Sequence, residues 1–300
     1  MKTIITLVVN PEINSLTLPD VDRVINTLAS MGLTSSETNW LSEGEAIDIY
    51  CDGSPASNPI GVIADLKETP KIDVFFQEEK ARAKLIFLAD MDSTIIGQEC
   101  IDEIADLVGL KEKVSTITEA AMRGELDFNE ALIERVALLK GLSVSKLDQI
   151  WEDRIRYNPG ATTLIPTLKS KGIKTVLVSG GFTWFTNKVQ KQLGFDKSVA
   201  NTLGIENNQL TGTVEGKIIN GDVKRDTLLT EAIKLGAGSA QAMAVGDGAN
   251  DIPMITAAGF GVAYHAKPRT ISSANAAITH TGLTSLLFAL GIPKHDFISV

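Results

Sequence analysis

Three apolar runs of this chain stop abruptly in polar residues suited to oxygen-rich substrates: LIFLAD followed by Met91-Asp92-Ser93-Thr94, KTVLVSGG, and QAMAVGDGAND. The first leaves Asp90 at its end, with Asp92 two residues on, close enough for both to serve one reaction centre. Adjacent carboxylates resist simultaneous ionisation unless a cation intervenes, so their roles must differ. The third run supplies Asp247, with Asn250 and Asp251 following. Carboxylates converging from separate strands, with no His or Cys among them, suit hard Mg²⁺ rather than zinc. The second run ends in Ser179-Gly180-Gly181, whose hydroxyl and backbone N–H groups can receive an anion at the start of a helix. Lys224, in DVKRDTLL at the start of another expected helix, adds a compact positive charge. Such a set suits phosphoryl transfer, which mostly needs positioning and neutralisation of oxygen charge. Asp90 is then the covalent nucleophile.

These residues work together only if their strand ends meet. Continuous apolar runs separated by helical segments predict a doubly wound parallel sheet covered on both faces, with ligands beyond the carboxyl ends of its strands. Residues 97–155 interrupt that pattern with helical sequence (IDEIADLVGL, VSTITEAAMRG, DFNEALIERVALLKGL), which predicts a helical cap over the strand ends. The stretch ANTLGIENNQLTGTVEGKIING reads as β-structure with a hairpin turn at Asn207-Asn208. The first 80 residues read as β-α-β-β-α-β, with a helix opening at Leu18-Pro19-Asp20 and stopping at Gly32. That order resembles the ferredoxin-like α+β plan of ACT domains. Fold alone gives no function, so an appendage without a ligand of its own is the preferred reading. The charged segment QEEKARAK marks the join, giving an ACT-like domain at 1–80 and an α/β domain at 82–300.

Composition narrows the class further. The chain has 300 residues, 44% hydrophobic and 22% charged, as expected of a globular protein long enough for more than one core. No run approaches about 18 apolar residues and MKTIITLVVNPE lacks a signal-peptide pattern, so the expectation is a protein neither secreted nor membrane-spanning. Cys51 and Cys100 are too few for a disulfide framework, which points to a reducing cytoplasm. A formal net charge of −9 argues against nucleic-acid partners. The acidity is local, with 13 acidic and 5 basic residues before position 81.

The order ADMDST, VSGG, DVK, GDGAND resembles the four motifs of the haloacid dehalogenase superfamily. The longer segments DMDSTIIGQECIDEIA, AMRGELDFNEAL, ERVALLKGL, VSGGF, GDGANDIPMI and AYHAKP are similar to the phosphoserine phosphatase family, over nearly all of residues 85–268. That resemblance implies Mg²⁺-dependent hydrolysis of O-phospho-L-serine to L-serine and phosphate, the last step of serine biosynthesis, through an aspartyl-phosphate. Asp90 is then the nucleophile and Asp92 the general acid and base. Mg²⁺ is expected on a carboxylate oxygen of Asp90, the backbone carbonyl of Asp92, and Asp247. Ser179, Gly180 and Lys224 are expected to hold the phosphoryl group, and Asn250 belongs to the same substrate-binding set. The family places a Glu on the substrate ammonium and an Arg on its carboxylate, matching Glu99 and Arg135, and an Arg can grip a carboxylate bidentately. Met122 and Phe128 match apolar residues around the substrate, with core packing an equal alternative.

Asp251 is read as holding Lys224 or a metal-bound water. His265 lies outside the motifs and is assigned to structure or a lid contact, and Cys100 to apolar packing. Two rivals remain. One is a phosphatase or phosphotransferase acting on another small amino-phosphate, such as phosphothreonine or homoserine phosphate. The other is an amino-acid-sensing regulatory protein. Homo-oligomerisation is left open.

Overall fold

The computed structural model describes every residue except Met1, Ser54, Ala56, Ser57, Lys67 to Thr69, Arg123 and Gly124. The side chains of Ala121 and Met122 also lie outside the description, and with them the expectation for Met122. The first 78 residues fold as β1 (Lys2–Val9), α1 (Leu18–Ser30), β2 (Leu33–Ser42), β3 (Ala46–Gly53), α2 (Pro59–Ala64) and β4 (Ile72–Glu78). Their strands form an antiparallel sheet in the order β2-β3-β1-β4. Alternate residues of the strands face opposite ways, and here both faces are used. Ile5, Leu7, Ile47, Ile49, Ile72 and Val74 pack with Val21, Val24 and Leu28 of α1. Val8, Ala46 and Phe75, on the other face, join the core of the rest of the protein.

That second face docks through buried charge. Asp48 takes two bonds from the Arg82 guanidinium, at 2.6 and 2.8 Å, and Arg82 also donates to the carbonyls of Phe288 (2.8 Å) and Ala289 (3.0 Å). Asp73 accepts from the backbone N–H of Thr279 (2.8 Å), His280 (3.1 Å) and Thr281 (2.9 Å), and from the Thr281 hydroxyl (2.6 Å). Two carboxylates from one sheet thus satisfy groups of the other unit. Charges buried this way must be paired or hydrogen-bonded: Asp48 is paired with Arg82, and Asp73 is held by neutral donors.

The second unit begins with β5 (Ile86–Ala89), followed by four helices, α3 (Cys100–Leu107), α4 (Lys111–Met122), α5 (Phe128–Ala137) and α6 (Ser145–Asp153). The main sheet then continues with α7 (Ala161–Ser170), β6 (Lys174–Phe182), α8 (Thr183–Leu193), β7 (Lys197–Glu206), β8 (Gln209–Glu215) and α9 (Gly221–Lys234). It ends with β9 (Ala242–Gly246), α10 (Ile252–Ala257), β10 (Phe260–Tyr264), α11 (Pro268–Ile271), β11 (Ala276–Ile278) and α12 (Ser285–Ala289). The strand order is β11-β10-β9-β5-β6-β7-β8, parallel throughout except for β8. Phe87, Ala89, Leu177 and Val245 face α7 and α8, while Ile86, Leu88, Val176 and Ala244 face α9 and α10. Both faces are covered, which explains the uninterrupted apolar runs.

The hairpin between β7 and β8 turns at Asn207 and Asn208, whose φ angles of 50° and 62° are the left-handed values a two-residue turn requires. Its tip is tied to the helical insertion by backbone bonds from Gly141 and Val144 N–H to Leu210 and Asn208 carbonyls, and from Leu210 N–H to Leu142. Cap and hairpin therefore form one body.

Replacing Asp73 by Ala strips three backbone N–H groups of their acceptor at the junction of the two units. Asp73→Ala should lower unfolding stability by at least about 2 kcal/mol, read as a lower urea midpoint; an unchanged midpoint would show that the docking is only superficial.

Candidate active site

The three polar strand endings meet because β9, β5 and β6 are parallel neighbours in the sheet. Asp90 extends the β5–β9 ladder, its N–H reaching the Val245 carbonyl at 3.0 Å. Its Oδ1 accepts from Met91 N–H at 2.7 Å and from Lys224 Nζ at 2.8 Å. Lys224 arrives from α9 and is fully buried; it also binds Asp251 Oδ1 at 2.6 Å. Burial opposes its charge, but Asp251 and Asp90 outweigh that and hold the ammonium above its ordinary pKa. The other oxygen of Asp251 accepts from Gly248 N–H at 3.0 Å. Gly246 leaves room for this carboxylate, since a Cβ there would collide with the Asp251 side chain.

Asp92 and Ser179 lie beside this pair. Asp92 Oδ1 accepts from the N–H of Cys100, the first residue of α3, at 3.0 Å, and its Oδ2 receives the Ser179 hydroxyl at 3.4 Å. Ser179 Oγ accepts in turn from Gly181 N–H at 2.8 Å. Burial raises the Asp92 pKa against the opposing hydrogen bonds from Cys100 and the charge of Lys224. Asp90 is raised further, by burial and then by Asp251, with Lys224 opposing.

Asp247, at the end of β9, takes the Thr94 hydroxyl on Oδ1 at 3.0 Å. Burial and the neighbouring Asp251 push its carboxyl up to about 6. Asp90, Asp247 and Asp251 each place a carboxylate oxygen within 4.8 Å of the others. Three carboxylates face a single ammonium, an imbalance that a divalent cation would correct. Both oxygens of Asp251 are engaged, by Lys224 and Gly248. Asp90 and Asp247 are less fully engaged, since the side-chain and ion-pair bonds of Asp90 fall on Oδ1 and Asp247 takes one hydroxyl, from Thr94, so these two carboxylates are the ones with capacity left for a metal. An all-oxygen donor set fits a hard divalent ion.

The cap supplies the remaining expected residues. Glu99 precedes α3 and accepts the Ser93 hydroxyl at 2.6 Å; burial and then Asp92 push it up to about 7. Arg135 on α5 spends Nε on the Ala131 carbonyl at 3.1 Å, while its two terminal nitrogens donate to no described residue. Burial lowers its pKa against the nearby charges of Asp102 and Glu99. Phe128 packs against the main core and also lies on Gly180, where an added Cβ would sit 2.9 Å from its Cζ.

Asn250 is half-buried beside Gly248, and its side chain makes no hydrogen bond to the described residues. His265 is held away from this chemistry, its Nε2 at 3.0 Å from the Thr281 carbonyl, consistent with a structural role. Cys100 is buried, and its backbone N–H meets Asp92. Sequence reasoning missed that contact and the role of Thr94. The only sequence trace of either is position, Thr94 two residues after Asp92 and Cys100 opening the next helical pattern.

A family model for haloacid dehalogenase-like hydrolases matches residues 85–259. Over 203 residues, 66% of this chain and 86% of the relative, the chain is 50% identical to the phosphoserine phosphatase of a Polaromonas species. The crystal structure of a probable phosphoserine phosphatase from Vibrio cholerae, in unliganded form, covers 98% of this chain and 88% of its own, with TM-score 0.78 and 32% identity. A phospho-aspartyl intermediate analogue of phosphoserine phosphatase covers 69% of this chain and 98% of its own, with TM-score 0.64 and 39% identity.

A carboxyl raised to about 6 is charged above that pH and protonated below it, and a protonated Asp247 is a poor ligand. Added MgCl₂ should therefore raise the thermal unfolding midpoint more at pH 7.5 than at pH 5, and Asp247→Asn should abolish the difference. An equal shift at both pH values, or one that survives the substitution, would place the cation elsewhere.

Proposed function

Since this chain belongs to the phosphoserine phosphatase family of haloacid dehalogenase-like hydrolases, we propose that it hydrolyses O-phospho-L-serine to L-serine and phosphate through a phosphoaspartate on Asp90, with Mg²⁺ as cofactor. The observation that carries this reading is Asp90 itself: a carboxylate 5% exposed at a parallel strand end, with one oxygen fixed by Lys224 and the other unengaged. The unengaged oxygen attacks phosphorus as the serine oxygen departs. Asp92 gives that oxygen a proton, then takes one from the water that cleaves the aspartyl-phosphate, and burial favours its proton-carrying form. The Ser179 hydroxyl, the Gly180 backbone and the Lys224 ammonium hold the phosphoryl oxygens.

Asp90, Asp247 and the Asp92 carbonyl would hold Mg²⁺, which would supply neutralisation of charge on the phosphoryl group. Glu99 takes the substrate ammonium and Arg135 the carboxylate, each charge of the amino acid meeting its opposite. Asn250 borders the same space. Phe128 on Gly180 closes the cap against the phosphoryl loop and keeps water from the centre before the first step.

Among the described residues no helix is long and apolar enough to cross a membrane. Cys51 and Cys100 are unpaired and buried, which suits a cytoplasmic setting. Phosphoserine is the expected small-molecule partner.

Phosphate release from phosphoserine, followed with and without Mg²⁺, tests the reading: Mg²⁺-dependent release is expected, and its absence would overturn it. Asp90→Asn should lower kcat at least about 1,000-fold with the fold intact. Appreciable turnover by that variant would exclude covalent catalysis at this position. Arg135→Ala should cost roughly 100-fold in kcat/KM on phosphoserine while leaving phosphoethanolamine, which lacks the carboxylate, within about threefold. Equal losses would assign Arg135 to cap structure instead.

A further inference from the structure

Asn201 lies on β7, 1% exposed, at the point where β7 parts from β6. The pairing of these strands passes from Val178↔Val199 directly to Phe182↔Asn201, so Ser179, Gly180 and Gly181 bulge out against a single residue of β7. That bulge is the loop beside Asp92. Asn201 Nδ2 donates to the Gly180 carbonyl at 2.8 Å, and its Oδ1 accepts from Ile219 N–H at 2.9 Å. The partners fix which end of the amide is which, because a carbonyl needs a donor and an N–H an acceptor.

Ile219 precedes Asn220, whose side chain caps α9 by accepting from Val223 N–H at 3.2 Å, and α9 carries Lys224. One buried neutral carboxamide therefore spans the two backbone segments that present the phosphoryl-facing groups, the bulge of β6 and the entry to α9. Gly180 O and Gly181 N–H belong to one planar peptide and point in opposite directions. Holding the carbonyl on Asn201 turns that N–H toward Ser179 Oγ, its partner at 2.8 Å.

We propose that Asn201 is a positioning residue for phosphoryl transfer: it fixes the Gly180-Gly181 peptide and the spacing between this loop and the Lys224 helix without touching substrate. The inference rests on the phosphatase reading above and deepens it. Asn201 acts on the phosphoryl side alone, so its loss should be blind to the rest of the substrate, in contrast to the loss of Arg135.

The test uses Asn201→Asp, which keeps the size and the acceptor for Ile219 but turns a carboxylate toward Gly180 O, and the neutral Asn201→Thr, which loses the carboxamide span. Both variants are assayed on phosphoserine and phosphoethanolamine, with inorganic phosphate as inhibitor and circular dichroism for the fold. The expected result is a kcat/KM loss of roughly 10- to 100-fold, equal on the two substrates. Phosphate inhibition should weaken in parallel, with the spectrum unchanged. Folded variants with wild-type kinetics, a loss confined to phosphoserine, or failure of both variants to fold would each overturn the proposal. Failure of the phosphatase reading would look different, since the unsubstituted protein itself would release no phosphate from either compound.

Discussion

A fully buried ammonium is unstable unless it is paired, and Lys224 is paired twice, with Asp90 at 2.8 Å and Asp251 at 2.6 Å. Much of the site follows from that requirement. It brings the first turns of α9 under the ends of β5 and β9, and it requires glycine at 246 so that the Asp251 carboxylate can approach. It fixes one oxygen of Asp90 and leaves the other unengaged. With Asp247 added, the cluster holds more negative charge than one lysine can neutralise, so the same interaction that orients Asp90 also creates the demand for a cation.

The surrounding elements serve this centre at different distances. The N-terminus of α3 gives Asp92 a backbone donor, which links the start of the helical insertion directly to the reaction centre. The insertion is also bonded to the β7–β8 hairpin, and Phe128 reaches Gly180, so the cap meets the main sheet at both the bulge of β6 and the hairpin. Farther out, Asp73 of the first sheet holds residues 279–281. The next residues, Gly282 and Leu283, lie against Pro159, where the chain leaves the cap for α7. The N-terminal unit is thus joined by bonded contacts to the base of the cap.

The sequence made the strand-end chemistry legible because a parallel sheet leaves its carboxyl ends side by side, so Asp90, Ser179 and Asp247 could be grouped from pattern alone. Asp251 was legible as the partner of Lys224 for the same reason of charge. Asn201 was not, since a lone Asn in a turn-rich stretch gives no sign that both ends of its amide will be spent on segments around residues 180 and 219. Thr94 and the Cys100 N–H were hidden likewise, because their roles exist only once α3 and β9 are in place. The first sheet misleads in another way. Thr6, Asp48 and Asp73 are polar residues of alternating strands, yet all three are buried, because their side is the docking face. Periodicity separates the two faces of a sheet but does not say that the polar one meets protein instead of water.

The central claim is that Asp90, held by Lys224, forms the covalent bond to phosphorus. It is tested most directly by mixing the protein with phosphoserine and Mg²⁺, quenching within the first turnovers, reducing with borohydride and sequencing the peptides by mass spectrometry. Reduction of an acyl phosphate converts aspartate to homoserine. The account predicts that conversion at position 90 and at no other carboxylate, whereas homoserine at Asp92, or phosphate carried on another side chain such as His265, would contradict it.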